Sequence, residues 1–401
     1  MRKFIVLIML FCGYYAHASE LNCDNTGKID ATDCLQKLID SASKDNTELS
    51  IKAGKYIITN SINLYSTLKV NGHGVILIPR FNNPNTAVFV GNNVNNLAIN
   101  GFTIYDNGYL SESKIISKYD NSKFTIGFSN SDIAIRLGGK LSNIVIESNF
   151  ITGFNRGLMI YNSGERKNNN IAIQNNTFNN IGISAIDLKY VDNAHVLKNN
   201  IYNILGNNVE NKAPVLSDSK FGDGIYLRGI INSVFVGNNI SNFIRGGIVF
   251  EGDWNKATDS VLVANNNIDV SNNKITLAQL SRGTEENGGI WVEGYQDKTG
   301  RRIVKTESIN IHDNYIDNFG AKPGAHSQYG ITCGARKANL YNNRITNFTD
   351  VHGYGIACSD LCKISDNVLI NNSINLAVYK LGNFVQLPYQ ESSTILSKFL
   401  K

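Results

Sequence analysis

The sequence predicts an all-β fold, a single-stranded right-handed parallel β-helix whose N-terminal end is capped by one helix. Three observations support this prediction. Short alternating apolar strands recur along the chain, an asparagine follows many of them in the same context, and one amphipathic helical segment precedes the first strand. We expect an N-terminal cap at 19–45, the solenoid at 46–380 and a C-terminal tail at 381–401.

Residues 1–18 form a segment of their own. A basic start at Arg2 and Lys3 leads into an apolar run and then into small residues before Ser19, which is typical of a cleaved secretory signal peptide. We therefore expect a secreted or periplasmic protein. Removing Arg2 and Lys3 lowers the basic count from 38 to 36 against 33 acidic residues, a mild excess that argues against a nucleic-acid partner. No later segment is apolar for long enough to span a membrane.

The cysteines fit an oxidising compartment. Cys23 and Cys34 are close in sequence, as are Cys358 and Cys362, so these two pairs are the predicted disulfides and Cys333 is left over. The register given below allows an alternative, in which Cys333 lies over Cys358 as a buried ladder or as a disulfide. None of the spacings is that of a zinc site.

The segment DATDCLQKLIDSAS predicts the capping helix. Its apolar residues recur at helical spacing behind two acidic capping residues, so one face would cover the open first coil. That face comprises Leu35, Leu38, Ile39 and Ala42, and the capping residues are Asp30 and Asp33. The stretch that follows, ELSIKAGKYIITNSINLYSTLKVNGHG, is typical of short strands joined by turns.

An asparagine repeat indicates the architecture. Segments such as ESNFI, QNNTF and YNNRI align on Asn149, Asn176, Asn199, Asn238, Asn266, Asn314, Asn343 and Asn367. The spacings of 27, 23, 39, 28, 48, 29 and 24 residues indicate coils of a little over twenty residues, some of which carry insertions. Asparagine suits this position because its amide can bond to the copies above and below, and its backbone tolerates left-handed geometry.

The strands that follow Gly-Ile or its equivalent set a register for one sheet. The inward positions are predicted to be Ile133, Leu158, Ile186, Ile225, Ile248, Ile290, Ile331 and Ile356, followed two places on by Ile135, Ile160, Leu188, Leu227, Phe250, Val292, Cys333 and Cys358. One outward column reads Arg136, Tyr161, Lys189, Arg228, Glu251, Glu293, Gly334 and Ser359. Its neighbour reads Ala134, Met159, Asp187, Tyr226, Val249, Trp291, Thr332 and Ala357.

Insertions converge on the outer face of this sheet. Segments 205–222, 271–287 and 320–328 lengthen the turn into the sheet and 295–306 lengthens the turn out of it, which predicts a cleft. The candidate catalytic residues are Lys189, Arg228, Glu251, Glu293, His326 and His352, and the candidate substrate-binding residues are Arg136, Tyr161, Asp187, Tyr226 and Trp291. A purely structural interpretation pairs Lys189 and Arg228 with neighbouring carboxylates as a charge ladder across the strands.

Residues 30–74 resemble the opening of the pectate-lyase-like β-helix superfamily, in which a short helix, an AGKY-type turn and a glycine-rich coil recur. In some alginate and dermatan lyases of that superfamily, a lysine and an arginine on consecutive coils share the work of β-elimination. Lys189 in DLKY and Arg228 in YLRG are placed similarly. Export, size and fold also resemble biofilm-matrix polysaccharide lyases of the RbmB type, which implies an acidic polysaccharide as partner and substrate.

These residues predict an exported lyase, a monomer, that cleaves an acidic polysaccharide by β-elimination. That chemistry needs a base, a cation or metal, and an acid in one cleft. His326, His352 or Tyr226 could replace Lys189 as the base, with Lys189 and Arg228 neutralising the substrate carboxylate. The sequence indicates no certain cofactor, and a Ca²⁺ ion held by Asp223, Glu251 and Glu293 stays open.

Two other functions stay open. Adjacent coils would hold the carboxyl groups of Glu251 and Glu293 about 5 Å apart, the separation found in retaining glycoside hydrolases. The same groove would also serve a protein that binds or guides exopolysaccharide without cleaving it.

Overall fold

The computed structural model describes residues 22–81, 86–106, 133–162, 168–204, 206, 222–255, 260–277, 287–296, 302–318, 328–349, 353–359, 361–380 and 383–386. The predicted leader and most of the predicted C-terminal tail lie outside these ranges. Within them the chain forms a right-handed parallel β-helix of three parallel sheets, which confirms the predicted fold class. Across the same ranges no helix has the length and apolar character needed to cross a bilayer.

Each coil contributes one strand to each of three sheets, and strands are numbered in chain order. Sheet A contains β1 (Thr26–Asp30), β3 (Gly54–Ile58), β6 (Val75–Pro79), β9 (Thr103–Tyr105), β12 (Phe150–Thr152), β15 (Thr177–Ile181), β18 (Asn200–Ile204), β21 (Asn239–Phe243), β26 (Lys274–Thr276), β31 (Tyr315–Asp317), β34 (Arg344–Thr346) and β37 (Val368–Ile370). Sheet B contains β2 (Glu48–Ser50), β5 (Lys69–Asn71), β8 (Asn95–Asn100), β11 (Ser142–Glu147), β14 (Asn168–Gln174), β17 (Val191–Leu197), β20 (Ile231–Val236), β25 (Asn266–Ser271), β30 (Ser308–His312), β33 (Lys337–Tyr341) and β36 (Cys362–Ser365).

Sheet C carries the surface on which the candidate site lies. It contains β4 (Ile62–Leu64), β7 (Ala87–Asn92), β10 (Ile133–Gly138), β13 (Arg156–Tyr161), β16 (Ser184–Lys189), β19 (Asp223–Arg228), β22 (Gly246–Glu251), β27 (Asn287–Val292), β32 (Gln328–Cys333), β35 (Gly353–Ser359), β38 (Ile374–Lys380) and β39 (Asn383–Gln386). Its strands are parallel except for β39, which pairs antiparallel with β38.

The turns leading into and out of sheet C hold the insertions. Most residues of the predicted insertions in the turns that lead into the sheet lie outside the described residues, within the stretches 207–221, 278–286 and 319–327. His326 and His352 also lie outside the described residues. Two antiparallel hairpins leave the sheet, β23 (Asp253–Asn255) with β24 (Ser260–Val263) and β28 (Gly294–Gln296) with β29 (Arg302–Val304). The second falls in a predicted insertion, and the sequence did not predict the first.

The interior is filled by stacked apolar side chains. The first predicted inward column of sheet C is confirmed for Leu158, Ile186, Ile225, Ile248, Ile290, Ile331 and Ile356, which are fully buried in successive registered positions. The second column is confirmed from Ile160 to Cys358. Burying each large aliphatic side chain contributes about 1.5–3 kcal/mol, so the columns account for much of the stability of the solenoid.

The predicted register is wrong in one coil. Ile135 pairs with Leu158, where Ile133 was expected, so β10 is displaced by two residues. Arg136 therefore pairs with Met159 and belongs to the neighbouring outward column. Arg136 still points away from the core, beside Met159. Ile133, predicted to point inward, instead packs with Val90 and Met159 outside the main core, and Ala134, predicted to point outward, packs in the core.

Helix α1 (Thr32–Asp45) covers the first coil as predicted. Its buried residues include Leu35, Ile39 and Ala42, and Leu38 packs against the same core. The cap residue is Ala31, which has no side-chain capping bond, and Asp30 instead accepts from the Thr32 backbone N–H at 3.0 Å and from its hydroxyl at 2.5 Å. Asp33 lies in the first turn, where a carboxylate interacts favourably with the helix dipole.

One predicted disulfide is confirmed and the other is wrong. Cys23 and Cys34 are bonded, with Cα atoms 5.5 Å apart, and this bond joins the N-terminal segment to α1. Cys333, Cys358 and Cys362 are buried free thiols. Cys358 and Cys362 belong to different sheets, and the Cys362 sulfur lies 3.6 Å from the Cys333 carbonyl oxygen. Cys333 and Cys358 do pair in register, as the alternative prediction required.

A buried asparagine ladder joins successive coils at the turn into sheet A. Asn238 shows the pattern: its Nδ2 donates to the Val196 carbonyl and to Asn273 Oδ1, both at 3.0 Å, while its Oδ1 accepts from the backbone N–H and Nδ2 of Asn199, both at 3.0 Å. The ladder runs through Asn149, Asn176, Asn199, Asn238, Asn273, Asn314, Asn343 and Asn367. Asn266 was the wrong choice, because it begins β25 in sheet B and is exposed.

Replacing Asn238 with alanine should destabilise the fold by about 3 kcal/mol, because the buried Asn199 N–H and Val196 carbonyl would lose their partners. Chemical denaturation measures this change. Asn339→Ala is the matched control, since Asn339 donates to Asn310 in an exposed ladder and its loss should cost little. Equal destabilisation by both substitutions would contradict a structural role for the buried ladder.

Candidate functional site

The outer face of sheet C has three zones. Its first strands carry a small apolar cluster formed by Ala87, Val90, Ile133 and Met159. Its last strands carry another, formed by Tyr329, Tyr354, Ala357, Ala377 and Ile374. Between them lies a network of ion pairs that we call the charged cluster, comprising Arg156, Asp187, Lys189, Asp223, Arg228, Arg245, Glu251, Glu293 and Lys305. The ion pairs of this network thus lie in the middle coils of the face.

The predicted outward column is present at the centre of the cluster. Lys189 on β16 pairs with Arg228 on β19, and Arg228 pairs with Glu251 on β22. Glu293 directly follows β27, and β27 pairs with β22. The register therefore brings the predicted lysine, arginine and two glutamates into consecutive positions along one line.

Asp187 is the buried carboxylate at one end of the cluster. Its Oδ2 accepts from Arg156 Nε at 3.2 Å and lies 3.8 Å from Lys189 Nζ. Its side chain is 2% exposed, and burial raises the pKa of Asp187 even though the two neighbouring cations act in the opposite direction. The ion pair between Lys189 and Asp187 that the purely structural interpretation predicts is therefore present.

Glu251 is held by three donors. Its Oε2 accepts from the Tyr226 hydroxyl at 2.5 Å and from Arg228 at 3.1 Å, and its Oε1 accepts from Arg245 at 3.1 Å. Burial acts to raise the pKa of Glu251, but the charge of Arg245 and the hydrogen bonds from Tyr226 and Arg228 outweigh burial and lower the pKa. Glu251 is consequently a fixed anion.

Arg245 and Asp223 form the most buried ion pair of the cluster. Arg245 Nε and Nη2 donate to the two carboxylate oxygens of Asp223 at 2.8 and 2.5 Å, and the Arg245 side chain is 8% exposed. Burial raises the pKa of Asp223 to about 6 against the opposing effect of Arg245. Arg245 thus connects Asp223 to Glu251.

Glu293 has a different environment from Glu251. Its Oε1 lies 2.5 Å from Lys305 Nζ. Burial raises the pKa of Glu293 although Lys305 opposes the shift, and the nearby charge of Glu251 adds to it. The two glutamates predicted as a pair therefore have pKa values displaced in opposite directions.

Tyr226 is surrounded by cations. Lys189 Nζ, Arg228 Cζ and Arg245 Cζ lie 5.8, 5.5 and 5.6 Å from its ring centroid. Attraction to the ring quadrupole offsets part of the repulsion among these cations. The ring centroid of Trp291 lies 5.7 Å from Arg245 Cζ, and the Trp291 side chain is half-buried. Stacking of a sugar on either ring stays a prediction.

The carboxylates proposed for calcium do not fit a metal ion. Arg245 chelates Asp223, three donors engage Glu251, and Lys305 engages Glu293. Nor do the described ranges contain any group of three or more histidine, cysteine or acidic side chains suited to a metal ion. Oxygen ligands that are already neutralised by arginine or lysine are poor partners for a hard cation.

The remaining predicted residues lie at the edge of the cluster. Tyr161 is half-buried and lies over Gly138, where an added Cβ would be 2.8 Å from the Tyr161 Cζ atom. Arg136 is half-buried beside Met159.

Three members of the cluster were missed by the sequence analysis, namely Arg156, Arg245 and Lys305. Arg156 and Arg245 share a signal, because each is the third residue of a repeated segment, FNRG or FIRG, at the turn into sheet C. Lys305 follows the second hairpin and carries no comparable signal.

Comparison with known proteins supports the fold. No family model matches the chain. The structure is similar to the Dettilon tailspike protein, with 16% identity, a TM-score of 0.56 and coverage of 90% of this chain and 67% of the other. It is also similar to PfbA, a surface adhesin of Streptococcus pneumoniae, with 14% identity, a TM-score of 0.52 and coverage of 92% and 93%.

A third similar structure is the enzymatically active domain of bacteriophage CBA120 tailspike protein 2, with 13% identity, a TM-score of 0.51 and coverage of 88% of this chain and 45% of that chain. At these identities the similarity shows a common fold and no more. The chain is a parallel β-helix protein with a charged cluster on one face.

Proposed function

We propose that this protein is an exported polysaccharide lyase that cleaves an acidic, uronate-containing exopolysaccharide by β-elimination. The observation that carries the proposal is the pairing of Lys189 and Arg228 on adjacent strands of one outward column. Their position within the ion-pair network on the outer face of sheet C supports it.

Each step of the elimination has a candidate group. Lys189 acts as the base in its neutral amine form, removing the proton on C5 of the uronate and becoming an ammonium, and Arg228 stabilises the negative charge that develops on the carboxylate. The C4–O bond then breaks, a C4–C5 double bond forms and the leaving oxygen takes a proton. Tyr226 is the proposed donor of that proton.

The environment of Tyr226 suits an acid better than a base. Burial and the charge of Glu251 raise the pKa of its hydroxyl far above the usual range, so the hydroxyl keeps its proton. Arg228 donates to the Tyr226 oxygen, and the Tyr226 hydroxyl donates to Glu251. A leaving oxygen that replaced Glu251 as acceptor would receive this proton.

The similar structures share the fold but do not distinguish catalysis from binding. One is a tailspike domain described as enzymatically active, and another is a surface adhesin. The experiment is therefore to incubate the purified protein with a panel of acidic and neutral bacterial exopolysaccharides and to follow chain length by size-exclusion chromatography. Shortening of acidic polymers alone supports the proposal, and binding without shortening contradicts it.

A second candidate is a retaining glycoside hydrolase that uses Glu251 and Glu293. The opposite displacement of their pKa values favours it, because a low-pKa nucleophile and a high-pKa acid are the combination that such enzymes require. The salt bridge from Lys305 to Glu293 argues against it, since a general acid must hold its proton.

A further inference from the structure

The positive charge of the cluster is distributed unevenly. It contains five cations and four carboxylates, so one positive charge is in excess. Arg228 and Arg245 face Glu251 and Asp223, which balances that part of the cluster, and Lys305 faces Glu293. The excess therefore lies at the other end, where Arg156 and Lys189 share Asp187.

The two cations at that end are also accessible to a ligand. The side chains of Arg156 and Lys189 are 21% and 24% exposed, between 29% for Arg228 and 8% for Arg245. Both approach the same carboxylate oxygen, Asp187 Oδ2. Asp187 thereby orients two cations but compensates only one of them.

The orientation of Arg156 suits a carboxylate ligand. Its hydrogen bond to Asp187 uses Nε, at 3.2 Å, so this bond does not occupy either of its two terminal amino groups. Two parallel N–H groups of a guanidinium match a carboxylate in a bidentate pair, which lysine cannot form. The geometry favours recognition of an anion by the terminal groups of Arg156.

The shared contact with Asp187 places this site relative to the proposed chemistry. Arg156 begins β13 and pairs with Ser184 at the start of β16, whereas Lys189 ends β16. The two side chains nevertheless meet at Asp187 Oδ2, which lies 3.2 Å from Arg156 Nε and 3.8 Å from Lys189 Nζ, so the two cationic groups are close enough for one sugar unit to span them. A carboxylate bound by Arg156 would belong to the unit next to the one from which Lys189 removes a proton.

We propose that Arg156 is a substrate-binding residue that anchors the carboxylate of this neighbouring unit, so the substrate class is a run of at least two consecutive uronates. The inference rests on the proposed function, because it takes Lys189 to mark the reacting unit. It adds a subsite and a requirement on the polymer that elimination alone does not impose.

The experiment measures binding, so it does not depend on turnover. Monomers and dimers of glucuronate, galacturonate and mannuronate are titrated into the mature protein labelled with ¹⁵N-arginine, and the Nε–H resonance of Arg156 is followed after assignment with Arg156→Gln. We expect at least one dimer to bind about tenfold more tightly than its monomer, and we expect Arg156→Gln to remove this preference.

Two control variants separate charge from geometry. Arg156→Lys keeps the charge beside Asp187 but loses the bidentate pair, so it should bind the dimer less tightly than the wild type does. Arg336→Gln removes an exposed arginine that pairs with Glu307 and should not change binding. Unchanged melting temperatures establish that the variants are folded.

The possible results distinguish the inference from the proposed function. Dimer binding that is insensitive to Arg156, or the absence of binding by all three uronates, overturns the inference. Binding that depends on Arg156 in a protein that never shortens a polyuronate would retain the subsite and overturn the lyase proposal.

Discussion

Replacing Lys189 with alanine should lower kcat/KM on the polymer that the protein cleaves by about 10³-fold, the contribution expected of a positioned general base. The side chain is partly exposed and its ion pair with Asp187 spans 3.8 Å, so the fold should be retained. Initial rates of polymer shortening measure the effect, and circular dichroism checks the fold.

Arg228→Ala should cause a comparable loss, because it removes the cation that stabilises the developing carboxylate charge and also a donor to Tyr226 and Glu251. Arg228→Lys should recover part of the activity, since the charge is kept. Lys337→Ala is the control, because Lys337 is exposed on sheet B, away from the cluster. If Lys189→Ala turned over as fast as Lys337→Ala, the assignment of the base would be refuted.

Replacing Arg245 with methionine should destabilise the protein by about 3–5 kcal/mol, the range seen when one partner of a buried ion pair is removed. Asp223 is 1% exposed and would lose its only bidentate partner, while Glu251 would lose one of its donors. Urea denaturation at pH 8 measures the loss. Arg336→Met removes an arginine that is 57% exposed and should cost at most about 1 kcal/mol.

The same substitution has a predicted pH dependence. Burial already raises the pKa of Asp223 to about 6 in the presence of Arg245, and removing this cation would raise it further. When the pKa of an aspartate is higher in the folded state than in the unfolded state, the folded protein loses stability as the pH rises from the unfolded-state pKa through the folded-state pKa. The variant should therefore be less destabilised at pH 5, where Asp223 holds a proton, than at pH 8. Equal destabilisation at both pH values would show that Asp223 is not the group responsible.

The strand register of sheet C was predictable because stacked coils repeat a Gly-Ile signal. The prediction was wrong in the coil where that signal was ambiguous. Ile133 and Ile135 are both apolar and two residues apart, so alternation in the sequence cannot choose between two alignments that differ by two residues, although Ile135 lies in the core and Ile133 packs on the outer face. Asn266 and Asn273 present the same difficulty, since an inward isoleucine follows two residues after each of them; Asn266 begins β25 in sheet B, whereas Asn273 directly precedes β26 in sheet A.

The candidate site was only partly predictable for a related reason. Lys189, Arg228, Glu251 and Glu293 lie within or directly after strands, where alternation fixes the direction of the side chain. Arg156 and Arg245 lie where the chain turns into sheet C, and there the local bend sets the direction of the side chain. The sequence therefore predicted the line of charged residues but not the arginines that neutralise Asp187 and Asp223.

The central claim, β-elimination, is tested most directly by the products of cleavage. Elimination leaves each new non-reducing end with a C4–C5 double bond that absorbs ultraviolet light. We expect absorbance and new reducing ends to rise together on an acidic exopolysaccharide, and we expect both signals to be lost in Lys189→Ala. New reducing ends without absorbance, formed at full rate by Lys189→Ala and abolished by Glu251→Gln and by Glu293→Gln, would contradict elimination and establish hydrolysis.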